Sequence, residues 1–444
     1  MITEVTLKNF KSIKEIQLKL KPLTIFTGTN SSGKSNILES IGIFAEASRL
    51  RRKAGNANTV NLENVYSQGD FRKYPNQQVK AFTAYRQRTD FSVTIEVQMN
   101  ALEVTKKNIS DLSSIPLANL ATLSKLSSTQ SMGYRFEFNS RNQSFAQGIV
   151  FDDEIVMAVS KSGYRQTRVL IPKDFMRTQV SGDAEQIFDG KAFVPEDTKK
   201  GVFIESDIAR VALNSLKRRF EKVFLISGER GLLDAERGVS SGEFPQWVGY
   251  RGQNVIEVLS RTFVREPDKF EEMQDWAIKF QLPDIRAGYI GEGKLEAYFK
   301  DQELRIALNS ALAGSGARQI LPIIVQIFSA GTDSVIMVEE PEISLHPEQQ
   351  VALHELFATA IEEGKQIICT THSPFLILAL SKVVRKKMIP LEDIAVYHVE
   401  KDKKGTHVKE LQLDKNGFVK SGIPSFMKTE HELYQEWSES LEEE

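Results

Sequence analysis

The sequence predicts an α/β fold, a mixed sheet flanked by helices with an inserted α+β region, and three observations predict it. Short apolar runs end abruptly in polar residues at Leu23, Thr24, Ile25, Phe26, then at Val335, Ile336, Met337, Val338, and again at Gln366, Ile367, Ile368, Cys369. Each has the length and composition of a strand buried on both faces. Helical patterns follow the runs, starting at Ile37 and Leu38 and again between Glu348 and Glu362, while residues 320–328 precede the second run. The middle of the chain instead alternates, as in Phe91, Val93, Ile95 and Val97, which suits one face of a half-buried strand.

The first run leads into GTNSSGKS at residues 28–35, the phosphate-binding loop pattern in its required setting of strand, glycine loop and helix, that of a P-loop NTPase. Gly28 and Gly33 let the backbone curl so that N–H groups face phosphate oxygens over the positive end of a helix. The residues assigned to ATP are Gly28, Asn30, Ser31, Ser32, Gly33, Lys34, Ser35 and Asn36. Lys34 reaches the β- and γ-phosphates, and Ser35 ligates Mg²⁺.

Residues 111–131 are rich in Ser and Leu and suit a short helical pair without the sustained heptads of a long coiled coil. Residues 182–200, rich in charge, glycine and proline, read as a mobile loop. No internal repeat is found. Three basic clusters stand out: Arg49, Arg51, Arg52 and Lys53; Lys217, Arg218 and Arg219 on a helix turning Leu213, Leu216 and Phe220 inward; and Arg385, Lys386 and Lys387. Each is read either as a solvated face or as a DNA contact.

Small residues at Ala313, Gly314, Ser315, Gly316 and Ala317 precede the apolar stretch 320–328. They make either a second anion site at a helix start or a glycine-rich turn into a core helix. Because the loop at Gly28 already holds phosphate within one chain, such a second site meets nucleotide bound to another copy, which predicts a nucleotide-sandwiched homodimer. The run ending at Val338 continues into Glu339, Glu340 and Pro341, a Walker B pattern. Glu339 is assigned to the metal shell and Glu340 to the base that polarises water. The run ending at Cys369 continues into Thr370, Thr371, His372, Ser373 and Pro374, and the interval from Glu340 suits a βαβ unit. His372 is read as a γ-phosphate contact, with a purely structural histidine as the other reading.

The ordered set GTNSSGKS, GSGARQ, VIMVEEPEISLHP and TTHSPF resembles the ABC-type ATPases of the RecF, SMC and OLD group. More narrowly it is similar to the prokaryotic AAA15 or AAA21-type proteins, several of which serve in antiphage defence. The resemblance implies an ABC-type ATPase head with an inserted lid. It makes GSGARQ the signature, with Ser315 and Gly316 closest to a partner's γ-phosphate, and it makes residues 343–347 the D-loop. It also makes Ile2 to Phe10 with KSIKEIQLKL an N-terminal hairpin. Of Gln68 and Gln87, the former is taken for the Q-loop. It covers roughly residues 1–50 and 300–400, and weakly FLISGERG with WVGYRGQNVIEVL. Residues 394–402 superficially resemble the acidic strand end that opens a TOPRIM nuclease domain, but too little chain follows and no later acidic pair ends an apolar strand. Neither a TOPRIM nor an HNH nuclease is expected.

A chain of 444 residues with 41% hydrophobic content buries a large core. The divisions expected are an N-terminal part of the head at 1–100, an inserted lid at 101–220, a C-terminal part at 221–400, and a partner-binding tail at 401–444 with Tyr434 and Trp437 as anchors. Glu4 and Lys8 in the opening strand argue against a leader, and no apolar stretch is long enough to cross a bilayer. The single cysteine, Cys369, excludes a disulfide framework and suits the cytoplasm. A net charge of −2 makes no global electrostatic case for nucleic acid. Three functions are carried forward. The first is a slow or regulated ATPase acting as homodimer or higher homo-oligomer, sensing or regulating a separately encoded effector, with no membrane partner. The others are a DNA-binding repair ATPase and a nucleotide-gated scaffold.

Overall fold

The chain opens with strands β1 (Ile2–Phe10), β2 (Ile13–Lys19) and β3 (Leu23–Thr27), and helix α1 (Lys34–Arg49) follows the glycine loop. The computed structural model describes residues 1–49, 92–101, 129–139, 144–152, 154–162, 166–170, 215–216, 218–231, 236–238, 245–282, 284–289, 293–301, 306–420, 422–423 and 426. Gln68, Gln87, Phe91, Leu213, Lys217, residues 111–128 of the helical pair expected over 111–131, the loop at 182–200, Arg51 to Lys53, and Tyr434 and Trp437 lie outside these, and Ser131 opens a strand instead of ending a helix. Two compact units divide the chain, one of 1–20, 36–223 and 401–407, the other of 21–35, 224–400 and 408–444.

The first unit holds a seven-stranded sheet in the order β2-β1-β4-β5-β6-β7-β8, its later members being β4 (Ser92–Asn100), β5 (Ser131–Asn139), β6 (Ser144–Phe151), β7 (Glu154–Ser162) and β8 (Gln166–Leu170). Every pairing in it is antiparallel. The hairpin expected at the N-terminus is present, with Val5 opposite Leu18 and Leu7 opposite Ile16. On β4 the expected face of Val93, Ile95 and Val97 is fully buried. Glu96 and Gln98 on its other face are buried too, and they bond to one another while Arg135 pairs with Glu96. Phe44 of α1 packs on Tyr134 and Phe220. Leu216 and Phe220 are buried while Arg218 is exposed, as the basic helix pattern required.

The second unit holds a six-stranded sheet, β17-β16-β3-β15-β14-β9. Its strands are β9 (Val223–Ile226), β14 (Val335–Glu339), β15 (Gln366–Thr371), β16 (Ile394–Asp402) and β17 (Gly405–Leu411), with β3 central. β14, β15, β3 and β16 run parallel, and β3, β14 and β15 are buried at every position. The βαβ unit expected between the acidic pair and His372 is present. A smaller sheet joins β10 (Arg237–Gly238), β11 (Asp284–Tyr289), β12 (Lys294–Asp301) and β13 (Ile306–Asn309). The helices are α2 (Val255–Arg265), α3 (Pro267–Lys279), α4 (Ser315–Ser329), α5 (Pro347–Glu362), α6 (Pro374–Leu378) and α7 (Leu380–Arg385). α4 is buried at every position from Ile320 to Ser329 and packs into the same core as β14, β15 and α5. Local sequence sets the helix starts. Pro347 and Pro374 sit in the first turn of α5 and α6, where a missing N–H costs nothing, and Ser373 Oγ caps α6 by accepting from Leu376 N. Among the described residues no helix is long and apolar enough to cross a membrane.

Candidate functional site

The parallel register brings the C-terminal ends of four strands into line, the place where open α/β sheets bind ligands. Thr27 stands opposite Thr371 on one side and His398 on the other, and Glu339 stands opposite Thr370. The glycine loop leaves β3 at Gly28, whose φ is +149°; a Cβ there would lie 2.0 Å from the carbonyl oxygen of Val399. Only glycine allows that turn. Backbone φ is positive again at Ser31 and Gly33. Asn30 and Ser31 are exposed, Ser32 is buried, and Ser35 is half-buried.

Lys34 lies in the first turn of α1 and is only 4% exposed, with its ammonium donating to the carbonyls of Gly28 at 3.0 Å and Thr29 at 2.9 Å. Burial pulls its pKa down to about 8, against the pull of Glu340 and Glu342. The buried ammonium, held by neutral carbonyls at the root of a glycine loop that opens a helix, is placed to meet an anion. That fits the phosphates of ATP. Asn36 is turned elsewhere, its amide donating to Ser12 Oγ at 2.9 Å.

Glu339 ends β14 buried, one carboxylate oxygen accepting from Gly228 N at 3.3 Å and from the Tyr250 hydroxyl at 3.5 Å. Glu340 follows in the left-handed region, φ +46°, with its N–H donating to Thr370 O at 2.9 Å. A non-glycine residue there is strained and persists only where its surroundings hold it. Its carboxylate lies 3.5 Å from His372 Nε2. The contact with His372 is the largest cause holding its pKa below the ordinary carboxylate value, aided by Lys34 and Arg230 and opposed by burial. Glu340, His372 and Lys34 are therefore gathered at one place, and Gln68 lies outside the described residues.

Ser315 opens α4 exposed, next to Gly314. A Cβ on Gly316 would meet the carbonyl oxygen of Ser344 at 2.8 Å, so this glycine seats the helix start directly on the turn after β14. Ser344, in the stretch 343–347, is itself left-handed at φ +61°.

Two residues escaped the sequence reading. Glu342 is 8% exposed, and its Oε1 accepts from Thr371 Oγ1 at 2.8 Å and from His372 N at 2.7 Å, which fixes the backbone that carries His372. Its signal was an acid between Pro341 and Ile343 where a turn alone needs none. Arg230, in FLISGERG, is 3% exposed and spends its five N–H donors on carbonyl oxygens of Ser227, Gln319, Glu339, Glu340 and Pro341. Burial lowers its pKa to about 10, against the three glutamates of the turn. Lys386 and Lys382 both pair with Glu355, so the third basic cluster is partly neutralised. Cys369 is fully buried, and burial pushes its thiol pKa well up.

Among the described residues no group of three His, Cys, Asp or Glu side chains is placed to hold a metal ion. Mg²⁺ in phosphoryl-transfer sites uses one or two protein groups and completes its shell with phosphates and water, so the absence of a three-ligand cluster does not bear on the pair expected from the sequence, Ser35 and Glu339.

The AAA ATPase domain family, AAA_15, matches residues 1–236 and 259–377. Old nuclease of Escherichia phage P2 is 20% identical over 398 residues, which cover 85% of this chain and 57% of that protein. DNA replication and repair protein RecF of Magnetococcus marinus is 42% identical over 52 residues, 12% of this chain and 14% of RecF. The chain thus spans little more than half of one curated relative and a small part of the other. The Smc head bound to the C-terminal winged-helix domain of ScpA superposes with a TM-score of 0.43 at 13% identity, over 93% of this chain and 98% of that one. With a glycine loop after a central parallel strand, an acidic pair and a histidine on neighbouring strand ends, and a family match over most of its length, this chain belongs to the AAA_15 family of AAA ATPase domains.

Proposed function

We propose that this chain binds and hydrolyses ATP with Mg²⁺ as an ABC-type ATPase, and that two copies close around nucleotide. The closed state then regulates a separately encoded effector, a nuclease or toxin, in prokaryotic antiphage defence in the cytoplasm. The observation that supports this most is the gathering of Lys34, Glu340 and His372 at the ends of adjoining parallel strands. ATP supplies a transferable γ-phosphoryl group, and Mg²⁺ supplies charge that offsets its phosphates.

The residues divide the work. Lys34 and the loop N–H groups orient the phosphates, and Ser35 with Glu339 hold the metal while Gly228 and Tyr250 fix the Glu339 carboxylate. Glu340, ionised at neutral pH, accepts a proton at its carboxylate from attacking water. His372 faces both Glu340 and the γ-phosphate. Ser315 and Gly316 meet nucleotide on the second copy. The relationship to Old nuclease, a nuclease by name, is compatible with a role beside nuclease chemistry, which this reading assigns to the separate effector. The short RecF match favours a second reading, a repair ATPase that engages DNA through its basic clusters.

ATP turnover of the full chain, measured with and without duplex DNA, tests these. Slow turnover indifferent to DNA supports the regulator. DNA-stimulated turnover supports the repair ATPase, and ATP recovered intact after long incubation with Mg²⁺ contradicts hydrolysis and supports the scaffold.

A further inference from the structure

The guanidinium of Arg230 has no catalytic part in the scheme above, yet every one of its N–H donors is used. Five N–H donors meet five backbone carbonyls: Nε donates to Gln319 at 2.8 Å, Nη1 to Ser227 at 3.1 Å and Glu339 at 2.7 Å, and Nη2 to Glu340 at 3.1 Å and Pro341 at 3.2 Å. These acceptors belong to the loop after β9, to α4, to the last residue of β14 and to the turn that follows it. Only an arginine fork reaches all of them, since a lysine ammonium has three donors and no planar spread.

What the fork holds is strained. Glu340 sits at φ +46°, its N–H fixed by Thr370 and its carbonyl by Arg230, so the base is clamped on both sides of its left-handed Cα. Gln319 lies in the second turn of α4, the helix whose first two residues are Ser315 and Gly316, and Gly316 rests against Ser344 of the same turn. The start of α4 and the base are therefore joined twice, by the Arg230 fork and by the close seat of Gly316.

We infer that Arg230 is a positioning residue that couples the start of α4 to the conformation of Glu340, so that contact at Ser315–Gly316 sets whether the base is aligned. This rests on the proposed ATPase reading and adds its regulation. Nucleotide pressed against the helix start by a second copy would be felt at Glu340 through a rigid, fully bonded link. Binding of nucleotide to the loop at Gly28 does not pass through it.

The test compares the wild-type full chain with Arg230→Lys in three measurements: affinity for a fluorescent ATP analogue, nucleotide-dependent mass, and single-turnover cleavage of ATP. The expected result is that affinity changes less than about threefold and the mass response persists, while cleavage falls about 100-fold, the effect of misplacing a reacting group by about 1 Å. The single-turnover rate constant is what falls; a smaller folded fraction would lower the amplitude of cleavage and leave its rate constant unchanged. Cleavage equal to wild type with mass response intact overturns the coupling. If Arg230→Lys does not fold, Gly316→Ala decides, because its Cβ forces α4 away from Ser344: cleavage lost while nucleotide affinity and the nucleotide-dependent mass are both retained supports the link, and cleavage unchanged, or lost only together with the mass response, overturns it. A wild-type chain without any cleavage defeats the ATPase reading instead, so the two failures are distinct.

Discussion

The two sheets of this protein are built on opposite rules. In the seven-stranded antiparallel sheet, polar residues reach into the interior in mid-strand and satisfy one another there, as Glu96, Gln98 and Arg135 do. In the six-stranded sheet, β3, β14 and β15 stay buried to their last residue, and the polar chemistry begins where they end, at Gly28, Glu340 and His372. A strand buried on both faces cannot place a reactive side chain on its flank without desolvating it, so function moves to the strand end, where loops and helix starts supply partners. Polar groups in the first sheet are therefore expected to bear on stability, and those at the strand ends of the second on the proposed chemistry.

Substitutions separate the two. The largest effect is expected from Glu340→Gln, which removes the base and leaves the shape: turnover falls about 1000-fold with ATP still bound. Equal turnover in variant and wild type would remove Glu340 from the chemistry. Lys34→Ala comes next, weakening ATP about 100-fold, equivalent to ~2.7 kcal/mol and the upper range for one charge-assisted contact. Isothermal titration reads this directly.

On the other sheet, Glu96→Ala leaves Arg135 without its buried partner and costs about 2 kcal/mol of stability. Denaturant melts measure the loss, and ATP affinity per folded molecule stays as in wild type. A loss of affinity there would break the contrast.

The smallest effect is a proton. Lys34 has its pKa lowered from 10.5 to about 8 in the folded chain, so between those values the unfolded state binds more protons and stability rises with pH. Below about pH 8 both states carry the charge and the penalty is present in full. Phosphate reverses the shift, so nucleotide binding near pH 8 takes up a fraction of a proton. Titrations in buffers of different ionisation enthalpy count it; no uptake would mean that Lys34 does not meet the phosphates.

The same contrast explains what could be read without coordinates. Strands β3, β14 and β15 and the residues just after them were legible because an apolar run, its stop and the polar group beyond it are contiguous. The helix between Glu340 and His372 followed from spacing. Glu342 and Arg230 were not assigned, although both lie in quoted stretches, because their meaning is non-local. Arg230 acts on carbonyls of Gln319 and Glu339, which only folding brings near. The turn of Asn36 toward Ser12 has the same cause: a bond across the fold leaves no trace beside the motif. The burial of Glu96 and Gln98 ran against the alternation of β4, where a cross-strand arginine rather than solvent meets the polar face.

The central claim is that nucleotide held at the parallel strand ends draws two copies together. Light scattering on Glu340→Gln, expected to bind ATP without consuming it, tests this with and without ATP and Mg²⁺. The account predicts a mass that doubles only when both are present; a mass unchanged by bound ATP would contradict it.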